Sequence, residues 1–305
     1  MTRHNRLSLT RPFVLAAIAA ISLLVTGAQA SNHSDRQGSL TEELHKVFPL
    51  SAQGRLELEN INGPVHIVGW DRAEVKVDAV KSAWSKERLA EARIEIDASA
   101  DSISIRTQYP NHDHTFNFGG DDEHDNPARV EYTISVPRQA RLDEIKLVNG
   151  RLDIKDVAGE VRASCVNGRM EVQNLQGRTE LNTVNGTLDA SVAQMPSSGL
   201  KLSSVNGRLH VTLPSDASAE VEASTVSGSI SNDFGFSAIR HQYVGHSLHG
   251  QLGAGGALVK LSNVNGTIEI SHANDGRPLS PATNLERGRD RDRDRDGDRD
   301  DDDDD

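Results

Sequence analysis

The sequence predicts an all-β protein: a single-stranded β-solenoid or β-helix-like repeat domain preceded by an irregular N-terminal β region. Three observations carry that reading. Gly150, Gly159, Gly168, Gly177 and Gly186 fall nine residues apart, and Val-Asn precedes every second one, so the full period is eighteen. Fixed-period repetition is the mark of a repeat architecture. Between the glycines, apolar residues alternate by two, as in Leu152 and Ile154, Val161 and Ala163, Met170 and Val172. Such alternation describes a strand with one buried face. A third apolar residue in each unit (Val157, Val166, Leu175) breaks the alternation and marks a corner. Asn-Gly supplies that corner, because glycine accepts positive φ and asparagine tolerates it better than most residues.

The candidate corner positions are Asn62 and Gly63, Asn149 and Gly150, Asn167 and Gly168, and Asn185 and Gly186, continuing through Asn206 and Gly207, Ser227 and Gly228, and Asn265 and Gly266. In a solenoid, eighteen residues make one coil, and coils stack at the inter-strand spacing of ~4.8 Å. Equivalent residues then form columns. The expected columns are Val148, Val166, Val184, Val205, Val226 and Val264 inside, with Asn149, Asn167, Asn185, Asn206 and Asn265 as an amide ladder. The alternative is an antiparallel β meander with Asn-Gly as a hairpin turn. A hairpin would place the valines before each turn on the wet face, and six apolar residues there weigh against it.

The elements follow in chain order. Arg3, Arg6 and Arg11 precede an apolar run from Phe13 to Val25, and Ala28-Gln29-Ala30 closes it. This predicts a signal peptide over 1–30 and export of the rest. Residues 31–49 form a lead segment in which "LTEELHKVF" has helical spacing. The β domain is expected over 50–272, with regular repeats over 142–272. Leu56 and Leu58 obey the repeat rule before Asn62, and Val65, Ile67, Val75 and Val77 alternate as strands. "SKERLAEAR" reads as a short helix, "RIEIDASADSISIRTQY" as two strands joined at Ser99–Asp101, and "ARVEYTISVP" as a strand stopped by Pro137. At eighteen to twenty-one residues per coil, 142–272 holds about seven coils, or roughly 35 Å of stack.

Residues 273–305 form an Arg/Asp-rich tail. From Arg287 to Asp305 there are six Arg and eleven Asp and no apolar residue, so the tail is expected to be disordered. The whole chain carries a formal charge of −12, which gives it no electrostatic reason to seek nucleic acid. Cys165 is the only cysteine, so no intramolecular disulfide forms, and it falls at an inward position. The loop "YPNHDHTFNFGGDDEHDNP" gathers His112, His114 and His124 among acids, but its spacing matches no zinc or calcium pattern. His241, His246 and His249 are irregularly spaced as well. Outward positions place Arg151, Arg169 and Arg208 beside Asp153, Glu171 and Asp189. That is either a charged binding strip or a solvated salt ladder.

No nucleophile elbow, metalloprotease helix or phosphate loop occurs, so no catalytic, cofactor-binding or metal-ligating residue is assigned. "NGPVHIVGWDRAEVKV", "EYTISVP", the repeated "VNG" units and "GGALVKLSNVNGTIEI" together resemble the bacterial putative-adhesin domain family of unknown function, the LiaG-like proteins, over roughly residues 50–272. The resemblance implies an exported β-solenoid-like domain with adhesion as its suggested role and no established catalytic residues. The expectation is therefore an exported, periplasmic or surface-located, non-enzymatic protein without a cofactor. It presents an elongated surface to a protein or envelope polymer. Two alternatives stand beside it: a periplasmic envelope-stress or signalling accessory that docks a membrane protein, and a polysaccharide-acting enzyme on a β-solenoid.

Overall fold

A computed structural model describes residues 39–110, 127–241 and 244–285. Residues 1–30, expected to be a signal peptide, residues 111–126 of the histidine-rich stretch and residues 286–305 of the Arg/Asp-rich stretch lie outside the described residues. The chain begins with strands β1 (Leu40–Pro49), β2 (Arg55–Asn62), β3 (Val65–Trp70) and β4 (Glu74–Ala83). Helix α1 (Lys86–Glu91) follows, capped by Ser85, whose side chain accepts from the Arg88 N–H. Next come β5 (Arg93–Ala98), β6 (Ser102–Gln108), β7 (Arg129–Pro137), β8 (Arg141–Lys155), β9 (Val161–Gln173) and β10 (Thr179–Ser191). The last strands are β11 (Leu200–Asn206), β12 (Leu209–Leu213), β13 (Ala219–Ser227), β14 (Ile230–Asn232), β15 (Ile239–Arg240), β16 (His246–Leu252), β17 (Ala257–Asn265), β18 (Ile268–His272) and β19 (Ala282–Asn284).

At Asn149-Gly150 the chain bends without reversing. β8, β9 and β10 each run through their Asn-Gly pair and lie parallel to one another, with Asn149 opposite Asn167 and Asn167 opposite Asn185. This parallel register identifies the solenoid and excludes the meander, in which each strand would pair antiparallel with its own continuation. Leu142, Ile145 and Leu147 before the corner and Leu152, Ile154 and Val157 after it are all buried in one core. Gly150, Gly168 and Gly186 have φ of 148°, 149° and 137°. A methyl group on Gly168 would also fall inside the van der Waals radius of the Gly150 carbonyl oxygen, and one on Gly186 would strike the Gly168 carbonyl. The corner therefore excludes a side chain twice over, by dihedral angle and by contact with the coil beneath.

The asparagine side chains bond along the stack. Asn167 Nδ2 donates to Asn149 Oδ1, Asn185 to Asn167, Asn206 to Asn185 and Asn265 to Asn206, each at 2.9 Å. Some buried residues two positions before a corner serve it from inside. Asn60 donates to the Gly63 carbonyl, Asn263 to that of Gly207 and Thr225 to that of Gly266.

The spatial order of coils departs from chain order at both ends. On the C-terminal side, β17 lies between β11 and β13, and β18 between β12 and β14, all in parallel register. The last coil is thus inserted between the two that precede it. On the N-terminal side, β2 and β3 pair with the two halves of β8, while β6 and β7 pair in parallel on their far side. The region expected to be irregular therefore contributes two coils of the same stack. Antiparallel strands cover the ends: β5 on β6, β4 on β7 with β1 outermost, and β16 on β13 with β15 and β19 beyond.

Three expectations are corrected. The segment "LTEELHKVF" is not helical; it is edge strand β1, antiparallel to β4. Its half-buried residues Leu44 and Phe48 are four apart, a spacing shared by one face of a helix and one face of a strand. The open edge of β4 decides between the two. Residues 142–272 contain six coils (β8, β9, β10, β11/β12, β13/β14 and β17/β18), not seven, because β15 and β16 form an antiparallel cap. The valines before the corners are not inside: Val166, Val184, Val205, Val264 and Val226 are between 38% and 52% exposed. On a strand, neighbours point to opposite faces, so with Cys165 and Thr183 buried, Val166 and Val184 must point out.

Two outcomes follow. Gly168→Ala should lower stability by about 3 kcal/mol, because positive φ and the carbonyl contact add. Gly276→Ala, at φ 73° with open space around it, should cost about 1 kcal/mol; urea unfolding of both variants measures the difference. The second outcome concerns the edge strand, where His45 Nδ1 lies 2.8 Å from Asp78 Oδ1. Hydrogen bonds to Asp78 and then Glu43 raise the imidazole pKa above its ordinary 6.5. Burial pulls Asp78 upward, but hydrogen bonds from Lys76 and His45 outweigh it and leave its carboxyl below the ordinary 3.8. The raised histidine stabilises β1 fully below about pH 6.5, and that contribution is lost as pH rises through the folded pKa. The depressed carboxylate contributes above its ordinary value and is lost in stronger acid. An NMR titration should place the His45 midpoint above 6.5, and Asp78→Asn should bring it down.

Candidate binding surface

The register turns each outward position into a column. Counting back from the corner, the first outward column is Val166, Val184, Val205, Val264 and Val226 in spatial order. The next is Ser164, Asn182, Ser203, Ser262 and Ser224. With the asparagine ladder, these make a strip three columns wide and five coils long that carries no ionisable group, about 20 Å along the stack axis. Between the serine-rich and valine columns runs a shallow groove of about 340 Å³, reaching from Ser164 and Val166 to Ser262 and Val264. Its polar wall is tied across coils, as Ser203 Oγ donates to Asn182 Oδ1.

Beneath the groove lie the buried side chains of Cys165, Thr183, Ser204 and Asn263. Burial pushes the Cys165 thiol up to about 11. At neutral pH it is a protonated packing residue with almost no thiolate to act as a nucleophile.

Charge borders the strip on both sides. Past the corner, Arg151 reaches Asp153 and Glu171 at 2.7 Å, Arg169 lies 3.6 Å from Asp189, and Arg208 bridges Asp189 at 3.2 Å and Glu269 at 3.7 Å. His66 extends the same column to Asp153 at 2.8 Å. These groups satisfy one another from coil to coil, which is the salt ladder rather than a row of free charges. On the other side Lys201 pairs with Glu180 at 2.7 Å and Lys260 with Glu222 at 3.5 Å. An apolar row in such surroundings is unusual, since exposed apolar patches on soluble proteins commonly mark contact sites.

The corner residues singled out in the sequence fall in two groups. Asn149, Asn167, Asn185, Asn206 and Asn265 come together as the ladder beside the groove, with Ser227 opposite Asn265 at its end. Asn62 lies opposite Asn149 but turns its amide to the Pro127 carbonyl. The sequence reading missed the valine row as a surface, although strict alternation from the buried Leu181 and Thr183 marks Val184 as outward.

Residues 158–271 match the family model described as Toastrack DUF4097. This segment is similar to the Toastrack domains over those residues. The match agrees with the family resemblance read from the repeats, and the structure carries the same coil geometry beyond the matched segment into β8, β2 and β3. No curated protein matches the chain. Among solved structures, one of a putative cell adhesion protein from Clostridium sporogenes is similar at 16% identity and a TM-score of 0.44, over 77% of this chain and 100% of that one. One of a putative adhesin from Bacteroides fragilis is similar at 8% identity and a TM-score of 0.25, over 76% and 97%. One of a putative adhesin from Parabacteroides distasonis is similar at 11% identity and a TM-score of 0.21, over 77% and 98%. Among the described residues, no helix is long and apolar enough to cross a membrane.

The buried Cys165 should be inert in the folded chain. Ellman's reagent at pH 8 should release almost no chromophore from native protein and one equivalent after denaturation; a fast native reaction would mean that the coil opens at the groove.

Proposed function

We propose that this chain is an exported, non-enzymatic binding module. It holds an extended protein or envelope polymer along the uncharged strip of serine, valine and asparagine columns. The observation that carries this reading is the row of five exposed valines, repeated at the coil spacing beside a continuous groove. A surface of this kind binds through many equal contacts, none of them dominant. It suits a long partner better than a small molecule, which requires a concave pocket with a few converging polar groups. The flanking ion pairs support the same reading. Arginines and acids already engaged with each other keep the rims soluble and discourage lateral association, leaving the strip as the face that benefits from being covered. The basic, apolar and small-residue order of residues 1–30 supports export.

The test is in two parts. Protease treatment of intact native cells should digest the protein or find it in the medium if the strip faces outward; complete protection would put the module in the periplasm and redirect it to an envelope partner. Sedimentation of purified chain with cell envelopes then addresses the strip. The double substitution Val184→Asp and Val205→Asp should weaken binding at least tenfold, while costing only about 0.5 kcal/mol of stability per site. Arg169→Ala should weaken binding slightly. Undiminished binding by the double variant, or turnover of a polysaccharide by the wild type, would refute the proposal.

A further inference from the structure

The antiparallel pairing at the C-terminal end of the stack assembles a group of side chains that the sequence keeps apart. β13 and β16 place Glu222 directly opposite His249, and Glu220 lies two residues along the same strand. All three side chains share one face. One ligand atom from each lies within 4.8 Å of the others. His249 Nε2 is 2.8 Å from Glu220 Oε1, whereas its Nδ1 is buried without a hydrogen-bond partner. Glu222, Ser224, His249 and Lys260 border a small hollow of about 80 Å³ at this point. Lys260 Nζ, 3.5 Å from Glu222, is the cation at the cluster's edge. Two carboxylates thus face one ammonium, and that ammonium stands on a long, half-exposed side chain that can swing into water.

We propose that Glu220, Glu222 and His249 form a binding site for a divalent first-row transition ion such as zinc. A histidine nitrogen and one oxygen from each glutamate are the ligands. The donor chemistry decides the class of ion. An imidazole with two carboxylates suits zinc and its neighbours, whereas calcium and magnesium prefer oxygen alone. Ligand atoms around a four-coordinate zinc stand roughly 3.3 Å apart. The present spacing, within 4.8 Å, is wider than this, so binding requires the two glutamate side chains to rotate inward and Lys260 to give way as the dication enters. Three protein ligands leave further positions for water. Because the ligands come from two strands, the ion ties the capping strand β16 to the last coil. The site lies outside the groove and stands independently of the adhesive reading.

The experiment uses the full chain, freed of metal with a chelator, and zinc and cobalt(II) as probes. Calorimetry should find a site in the wild type that weakens at least tenfold in both His249→Ala and Glu222→Gln. At a hundredfold excess over the dissociation constant, zinc should raise the melting temperature on the order of 5–10 °C in the wild type. That rise should be absent from both variants. Bound cobalt should give visible absorption that disappears with His249→Ala. The histidine-rich loop and the aspartate tail also offer ligands, so the difference between wild type and variants is the decisive quantity. Equal zinc binding and equal thermal shift in wild type and variants would overturn the proposal, as would no binding at all. If His249→Ala fails to fold, zinc added to wild-type protein must shift the His249 ring resonances; unmoved resonances would refute the site.

Discussion

The structure depends on one contact repeated from coil to coil: the α-carbon of a corner glycine resting on the carbonyl of the corner glycine beneath it. Every other feature of the stack inherits its register from that contact. Because no side chain fits there, the backbone bends at the same place in each coil. Because the bend is at the same place, the asparagine before it meets its equivalent at hydrogen-bonding distance. Asn167, Asn185 and Asn206 each give one hydrogen and receive one, so the ladder aligns coils without adding charge. The net worth of each exposed hydrogen bond is modest, ~1 kcal/mol. The ladder's larger effect is on specificity, since a coil shifted by one residue would lose its amide partners and bring its polar face inward.

This constraint explains the inverted order of the coils. In the chain, Ser227 interrupts the series of asparagines between Asn206 and Asn265. In space, insertion of the last coil moves Ser227 to the end and sets Asn265 against Asn206, fifty-nine residues away in sequence. The five asparagines are therefore contiguous. The same insertion makes the valine row continuous from Val166 to Val264 and gives the groove its length. The coil displaced to the end, β13/β14, has a serine at the corner and a short second half, and it is covered by antiparallel β16. A terminal coil needs such a cover, because an open strand edge invites pairing with other chains.

Surface chemistry follows from the same columns. Residues with charge stand opposite residues with charge on neighbouring coils, and they neutralise one another as ladders. Residues without charge stand together as well, and their column has nothing to neutralise it. The groove and the neutral strip are thus by-products of repetition that become a usable surface because four coils share the groove and five the strip. The cluster of Glu220, Glu222 and His249 has a different origin. It arises where repetition stops and an antiparallel strand is laid across the last coil.

The sequence by itself determined the coil. Even glycine spacing, alternation by two and the Asn-Gly pair specify a strand, a corner and a stacking interval, since those are local requirements of backbone geometry. It also marked Cys165 as inward. The valines show where residue type misleads and the local rule holds: an apolar side chain next to a corner reads as core, yet its buried neighbour had already committed it to the outside. The tertiary structure alone decided the order of the coils, the membership of β6 and β7 in the stack, and the strand state of "LTEELHKVF". Those depend on which open edge is available to pair, a property of the assembled sheet rather than of any segment. Glu220, Glu222 and His249 were equally invisible, because only the pairing of β13 with β16 brings residues twenty-nine apart onto one face.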